Sequence, residues 1–444
     1  MSFAAALAGL LERHPEIEAA EVFVVDLNGL ARGKRIPVAK LAALAQGKVR
    51  MPVSSLGLDV FGADVPESGI AIERGDPDGA LVPVAETLTP MLWAARPTAQ
   101  VICSLTEADG GPCAYDPRTV LARLVDQAAA QGLRATMAFE LEFYLIDPAA
   151  PAPPAPLGHD RAQIYELERL RAFEPVMAGI ERAAAACNAP VETAICEFGP
   201  GQFELNLGHV ACPLTAADRL VLLRRAIRGA ARAAGLDASF MAKPYGDQAG
   251  SGLHLHVSLE GPSGALFDAG GGPVPAAAAG QALAGLCATM PEAMLVWAPH
   301  ANSYRRFMPG SYAPLCAAWG LDNRGAALRM PETSGPGARI EHRVSGADAN
   351  PYLVAAAVLA GVLDGLEAAA PPPPPVTTEA VPADGRALPL TWAEAERRFC
   401  DSAAFRARMG SDLVRVFAAM KRQERATLLA RVSDVEYAAY LRTV

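Results

Sequence analysis

The stretch ATMAFELEFYLI, Ala135–Ile146, decides the fold. Strand alternation places Met137, Phe139, Leu141, Phe143 and Leu145 on one face and Glu140 with Glu142 on the other. The segment is too apolar for a solvated edge and predicts a core strand. Two neighbouring carboxylates there repel each other and lose hydration, so they need a cation. Taken alone, the acidic face also suits a sheet with one side in water.

Three more segments carry charge where a core strand should not. In Cys196–Leu207, CEFGPGQFELNL, Glu197 and Glu204 flank the turn Gly199-Pro200-Gly201, which folds them toward one point. In Gly250–Leu259, GSGLHLHVSL, His254, His256 and Ser258 share a face opposite Leu253, Leu255 and Val257. In Ala338–Val344, ARIEHRV, Arg339, Glu341 and Arg343 alternate with Ile340 and His342. Singly, these also read as an exposed hairpin, satisfied core histidines and a structural ion-pair row. Jointly, five carboxylates and one or two imidazoles match a site for more than one hard divalent cation. Mostly oxygen ligation favours Mg²⁺ or Mn²⁺ over zinc. Arg306, Arg324, Arg329, Arg339 and Arg343 supply forked donors for phosphate and carboxylate. Several divalent ions with arginines describe phosphoryl transfer. No G-x-x-x-x-G-K-[ST] loop is present, which excludes a P-loop enzyme.

Composition sets the surroundings. Of 444 residues, 51% are hydrophobic, which excludes global disorder. Asp+Glu 48 against Lys+Arg 39 gives −9, so there is no broad electrostatic footprint for nucleic acid, and no basic run for a membrane surface. The uncharged stretch between Asp268 and Glu292 is rich in Ala and Gly, carries Pro273 and Pro275, and lacks the large apolar residues of a membrane span. The N-terminal MSFAAALAGLLERHPE reads as a short amphipathic helix and not as a signal peptide. Eight scattered cysteines without a C-x-x-C pair predict buried free thiols in a reducing, cytoplasmic setting.

The strand EVFVVDLNG, Glu21–Gly29, meets its return strand ARGKRIPV at an Asn28-Gly29 hairpin turn. Short strands continue to about Thr106, and Gly110-Gly111-Pro112 breaks the pattern before Asp116-Pro117 opens a helix. These signals divide the chain into a β-rich unit, 1–108, and a larger unit, 109–444. Two Pro/Ala stretches, Asp147–Pro156 and Ala368–Pro389, read as surface loops, with Pro371–Pro375 an extended, solvated polyproline segment. The tail from Thr391 reads as helices with charged outer faces.

At these residues the sequence resembles the glutamine synthetase family. The segments DLNGLARGKRIP, FELEFYL, EFGPGQFELN, FMAKPYGDQAGSGLHLHVSL, NSYRRFMPGSYAP, NRGAALRMP and RIEHRVSGADANPYL occur in the family's order over nearly the whole chain. The resemblance implies an α+β fold: a small N-terminal β-grasp domain, 1–108, and a large glutamine-synthetase-type catalytic domain, 109–444, on a curved antiparallel sheet with helices. It implies one metal held by Glu142, Glu197 and Glu204, and another held by Glu140, His254 and Glu341. Glu192, His256 and Ser258 match positions near ATP. Arg324, Arg329 and Arg339 match arginines that draw charge off the transferring phosphoryl, and Gly250, Arg306 and Arg343 match glutamate-binding positions. The catalytic candidates are Arg324, Arg329, Arg306 and Tyr312. The implied cofactors are two or more Mg²⁺ (or Mn²⁺) per site, with ATP as co-substrate. The implied assembly is a homo-oligomeric dodecamer of two hexameric rings with sites between subunits. The basic turn Arg32-Gly33-Lys34-Arg35 is a candidate contact there, and also suits a solvated turn.

Two departures bear on the substrate. Glutamine synthetases carry a Gly-Tyr-Glu-Ala-Pro flap whose acid helps take a proton from ammonium; here it reads Gly310-Ser311-Tyr312-Ala313-Pro314. They also carry an aspartate just before a Ser-Ser pair; here the stretch is Met51-Pro52-Val53-Ser54-Ser55, with no carboxylate until Asp59. A buried ammonium without these anions loses hydration with little compensation. The sequence therefore looks closest to the γ-glutamylputrescine-forming branch. It predicts ATP-dependent ligation of the γ-carboxylate of L-glutamate to a primary amine, putrescine or another polyamine first. Ammonia, ethanolamine and small alkylamines are the alternatives. Tyr312, Ser54 and Ser55 are the amine-pocket candidates. The family's adenylylated tyrosine has no counterpart, its loop being the Pro371–Pro375 tract. A kinase lacking the amine step conflicts with the N-terminal unit, and a retired scaffold conflicts with intact Glu and His at all six metal positions.

Overall fold

The structure is a computed structural model that describes residues 1–150, 154–158, 163–272, 274–378 and 387–444. Parts of both Pro/Ala stretches, together with residues 159–162 and Pro273, lie outside the described residues. The first sheet comprises β1 (Ala19–Val25), β2 (Ala31–Pro37), β3 (Arg50–Pro52), β4 (Asp78–Pro83), β5 (Thr89–Pro90) and β6 (Thr98–Leu105), in the order β2-β1-β6-β4-β3 with β5 on β6. Only β1 and β6 run parallel. The expected hairpin forms, but its loop spans Asp26–Leu30 instead of closing at Asn28-Gly29 alone. The Asp26 carboxylate holds it, accepting from Leu30 N at 2.8 Å and Arg32 Nε at 2.8 Å. Arg32–Arg35 is not a turn. It lies along β2, an exposed edge strand, where a side chain at Gly33 would meet Val22 O at 2.1 Å.

The second sheet comprises β7 (Arg134–Ile146), β8 (Val191–Cys196), β9 (Gln202–Leu207), β10 (Asp237–Ser239), β11 (Leu253–Gly261), β12 (Gly264–Ala265), β13 (Trp319–Leu321), β14 (Leu328–Met330) and β15 (Ile340–His342). Its order is β13-β14-β15-β11-β7-β9-β8, antiparallel throughout except for β13 with β14, and β10 and β12 pair with β7 and β11. With its helices it bears out the α+β fold and the sheet the sequence predicts. Met137, Phe139, Leu141, Phe143 and Leu145 of β7 are fully buried, and helices Pro117–Ala130 and Pro213–Ala233 pack on this strand. Asp116 caps the first of these helices as expected, accepting from Arg118 N, and also ties it to β6 through Leu105 N.

Helix Pro351–Ala368 is long and apolar enough to cross a membrane by length and composition, yet it is buried in the core. It packs against helix Ala277–Thr289 at backbone contact. A Cβ on Gly285 would fall 2.2 Å from Gly361 O, and one on Gly365 would fall 2.1 Å from Gln281 O. The helices expected after Thr391 form, at Trp392–Asp401, Ala403–Met409, Ser411–Leu429 and Asp434–Tyr440. Pro371–Pro375 is irregular but not simply solvated, because Trp319 Nε1 donates to Pro373 O at 2.6 Å. The eight cysteines form no disulfide among the described residues, and only Cys212 and Cys400 are less than buried.

A buried ion pair ties the loop after β1 and the segment at Val60 to the C-terminal helices. Lys421 and Glu424 on helix Ser411–Leu429 are both 0% exposed and lie 3.0 Å apart. Lys421 donates to Asn28 Oδ1, and Asn28 Nδ2 and Val60 N donate to Glu424 Oε1, each at 2.9 Å. Burial opposes ionisation of Glu424, but Lys421 and His300 hold its carboxyl down to about 2. Lys421→Met strands that carboxylate, so we expect a loss of about 3–5 kcal/mol in urea unfolding. Pairing it with Glu424→Leu should recover much of the loss, and an unchanged midpoint in the single variant would contradict the role given to this pair.

Candidate active site

Five strands bring the charged residues to one face. β11 sets His254 opposite Glu140, β9 sets Glu204 opposite Glu142, and β15 sets Glu341 opposite His256. β14 adds Arg329 opposite Glu341. Cross-strand partners share a face, so strand register alone assembles the row. Glu140 is its hub, with Oε2 3.1 Å from His254 Nδ1 and Oε1 2.8 Å from His256 Nε2. Arg339 Nε donates to His256 Nδ1 at 3.1 Å, which leaves the ring proton on Nε2 to be donated to Glu140. Glu341 Oε2 accepts from Arg329 Nη1 at 2.8 Å, and its other oxygen accepts from Arg343 Nη1. Arg329 also donates from Nε and Nη2 to Asp322 Oδ1, at 3.0 and 2.6 Å.

Burial acts to raise the carboxyls of Glu140, Glu341, Glu197 and Glu204, and the neighbours decide the outcome. Around Glu140, His254 and His256 outweigh burial and hold it well below the usual range. Around Glu341, Arg343 and then His254 outweigh burial and hold it at about 2. Burial and then Glu142 push Glu197 up to about 8. Burial, followed by Glu140, Glu142 and Glu197, pushes Glu204 well above its ordinary value. The cluster is therefore neutralised at one end by the protein's own cations, and short of positive charge at the other.

Among the described residues, two groups each bring three ligand atoms within 4.8 Å of one another: Glu140, His256 and Glu341, and Glu140, Glu204 and His254. Carboxylate oxygens with one imidazole form a hard donor set, and the charge shortage at Glu197 and Glu204 is one that a divalent cation relieves. These groups use the expected residues in a different division. They draw in His256, which the sequence placed near ATP, and leave Glu142 and Glu197 outside. Glu142 accepts from Gly252 N at 2.8 Å and Gln202 Nε2 at 3.3 Å.

The other expected residues are distributed around this core. Arg306 is buried and donates to Val344 O at 2.7 Å and Arg343 O at 3.3 Å. A Cβ on Gly250 would lie 2.8 Å from Arg306 Cγ, so a side chain there would displace the arginine. Arg343 is buried, and its Nε has no hydrogen-bond partner among the described residues. Ser258 follows on the His256 face of β11, while Glu192 is exposed and lies beside Gly208. Arg324 is exposed on the loop after Asp322. Ser54 and Ser55 sit on the turn Val53–Gly57, which packs on helix Ser411–Leu429; no hydrogen bond joins them to the cluster among the described residues. Tyr312 is exposed, with a left-handed backbone at φ 58°. For a non-glycine residue that conformation costs about 1–2 kcal/mol.

Several contributors escape sequence reading. Gln202 shares the Glu204 face of β9 and donates to Gly250 O at 2.9 Å, so alternation within EFGPGQFELN offered a signal for it. His209 lies 5.7 Å, ring to ring, from His256. Asp322 and Phe198 lie outside the strands, where no periodicity marks them.

Residues 114–440 match the family described as glutamine synthetase, catalytic domain. The chain is 38% identical to the γ-glutamylputrescine synthetase of Escherichia coli (strain K12) over 437 residues, covering 96% of this chain and 92% of that one. It is 30% identical to a glutamate–isopropylamine ligase of Pseudomonas sp over 452 residues, covering 97% and 96%. A solved structure of a GmaS–ADP complex superposes with a TM-score of 0.86 at 26% identity, covering 98% of this chain and 99% of that chain.

The raised carboxyls give the site a pH signature. A raised folded pKa means that the Glu197 contribution to metal-free stability is present below about 4.5 and lost as pH rises through about 8. A divalent cation competes with that proton. Calorimetric titration with MgCl₂ near neutral pH should release protons, and apparent affinity should tighten as pH rises to about 8. Binding that is independent of pH and of buffer ionisation enthalpy would contradict this charge balance.

Proposed function

The chain belongs to the glutamine synthetase family, and from that premise we propose that it ligates the γ-carboxylate of L-glutamate to a primary amine at the expense of ATP. The observation that carries the reading is the row of half-buried Glu140 and Glu142 with buried Glu204, His254 and Glu341, short of positive charge at one end and flanked by arginines at the other. Putrescine or another polyamine is the first acceptor. A small alkylamine, ethanolamine or ammonia is the alternative.

Glu142, Glu197, Glu204, Glu140, His254 and Glu341 would hold two or more Mg²⁺ or Mn²⁺ ions, which supply charge neutralisation to the phosphates when bound. Arg324, Arg329 and Arg339 carry phosphate charge, with Glu192, His256 and Ser258 on the nucleotide side. Arg306, Arg343 and the open backbone at Gly250 receive glutamate. The γ-carboxylate oxygen takes the terminal phosphoryl of ATP, releasing ADP and leaving γ-glutamyl phosphate. The deprotonated amine then attacks the acyl carbon, and phosphate departs with the C–O bonding pair. Tyr312, where a glutamine synthetase has its flap acid, favours an amine that brings carbon with its charge. The proposed division is 1–108 and 109–444. The proposed assembly is a cytoplasmic dodecamer of two hexameric rings, in which Ser54 and Ser55 reach a neighbouring subunit's site.

An ADP-release assay with glutamate, ATP, Mg²⁺ and a panel of amines tests this. The kcat/KM for putrescine or another alkylamine should exceed that for ammonium by about tenfold or more, the ratio that 1.4 kcal/mol in the transition state gives. Faster turnover on ammonium than on every alkylamine would overturn the assignment.

A further inference from the structure

We infer that Phe198, together with Tyr312, forms the wall that selects the acceptor by its carbon chain, an inference that rests on the amine-ligase reading above. Phe198 directly follows Glu197, on the turn between β8 and β9. Tyr312 comes from a distant part of the chain. Their rings stack at a centroid distance of 6.3 Å with an interplanar angle of 26°. An aromatic pair of this kind normally withdraws its area into a core. Here Phe198 stays 44% exposed and Tyr312 58% exposed, and among the described residues no Lys or Arg is stacked over either ring. Tyr312 also keeps a left-handed backbone that glycine would adopt without strain, and strain of this kind persists at sites that use it.

The surroundings give the ligand class. Phe198 directly follows Glu197, and its contact with Tyr312 sets the aromatic pair beside the carboxylate-bearing β8–β9 turn. Two open aromatic faces suit an alkylammonium, whose methylenes cover ring area while its charge meets the π-face. Ammonium also meets the π-face but brings no methylenes to cover ring area, so it gains less from the rings. Phe198 thus acts on the choice of amine and not on phosphoryl transfer.

The test compares kcat/KM for putrescine, isopropylamine and ammonium in the full-length protein, its Phe198→Ala and Phe198→Tyr variants, and Phe198→Leu as an apolar variant that preserves bulk. Phe198→Ala should lower kcat/KM for both alkylamines by about tenfold and for ammonium by less than about twofold, consistent with the loss of one aromatic contact. The KM for glutamate should be unmoved, and Phe198→Tyr should restore the preference. Should the Ala variant not fold, the same fall in the alkylamine-to-ammonium ratio is read in Phe198→Leu. An unchanged ratio in folded Ala or Leu variants overturns the inference. If the unmutated protein itself prefers ammonium, the amine-ligase reading fails first and this inference falls with it, a result visible before any substitution is made.

Discussion

Crowded carboxylates on one face of a buried sheet are the constraint on which the rest depends. Glu140, Glu142 and Glu204 occupy adjacent positions of β7 and β9, and the opposite face of β7 is solid hydrocarbon. Such a row is stable only if positive charge is delivered to it. The protein meets part of that demand itself, through Arg329 and Arg343 on Glu341, while His254 and His256 hydrogen-bond Glu140. It leaves the rest to be met from outside, and the unmet part adjoins the turn that carries Glu197.

The same constraint explains why so much of the site can be read from the sequence. A charged residue at the inward phase of an apolar strand violates the pattern that builds the strand, and the violation is local. Glu140, Glu142, His254, His256 and Glu341 all announce themselves in this way. Register then brings them together, since a shift of one residue would send each to the hydrophobic side. Gln202 obeys the same alternation but is uncharged, so it breaks no rule and draws no notice.

What stayed hidden lies in loops or depends on long-range packing. Asp322 meets Arg329 only because β13 and β14 lie side by side and the loop after β13 turns back. Phe198 is one more aromatic in a Gly-Pro-Gly turn until Tyr312 arrives beside it. The Asp26–Leu30 loop is wider than its Asn-Gly pair suggests, because the Asp26 carboxylate organises it from the side. Arg32–Arg35 reads as a turn by composition, and tertiary pairing makes it strand. The Lys421–Glu424–Asn28 tie joins residues nearly a chain length apart, beyond the reach of any local pattern.

The glycines between helices Ala277–Thr289 and Pro351–Ala368 bear on dimension as much as on packing. Where two helices meet through side chains, their spacing is a property of rotamers and can drift by tenths of an ångström as residues change. Where Gly285 and Gly365 press peptide against peptide, there is nothing to rotate and nothing to trim. That contact is a hard stop, a fixed length built from backbone alone. Helix Pro351–Ala368 also meets the two helices that pack on β7, so the layer behind the carboxylate row takes its spacing from a ruler that substitution elsewhere in the helices cannot stretch.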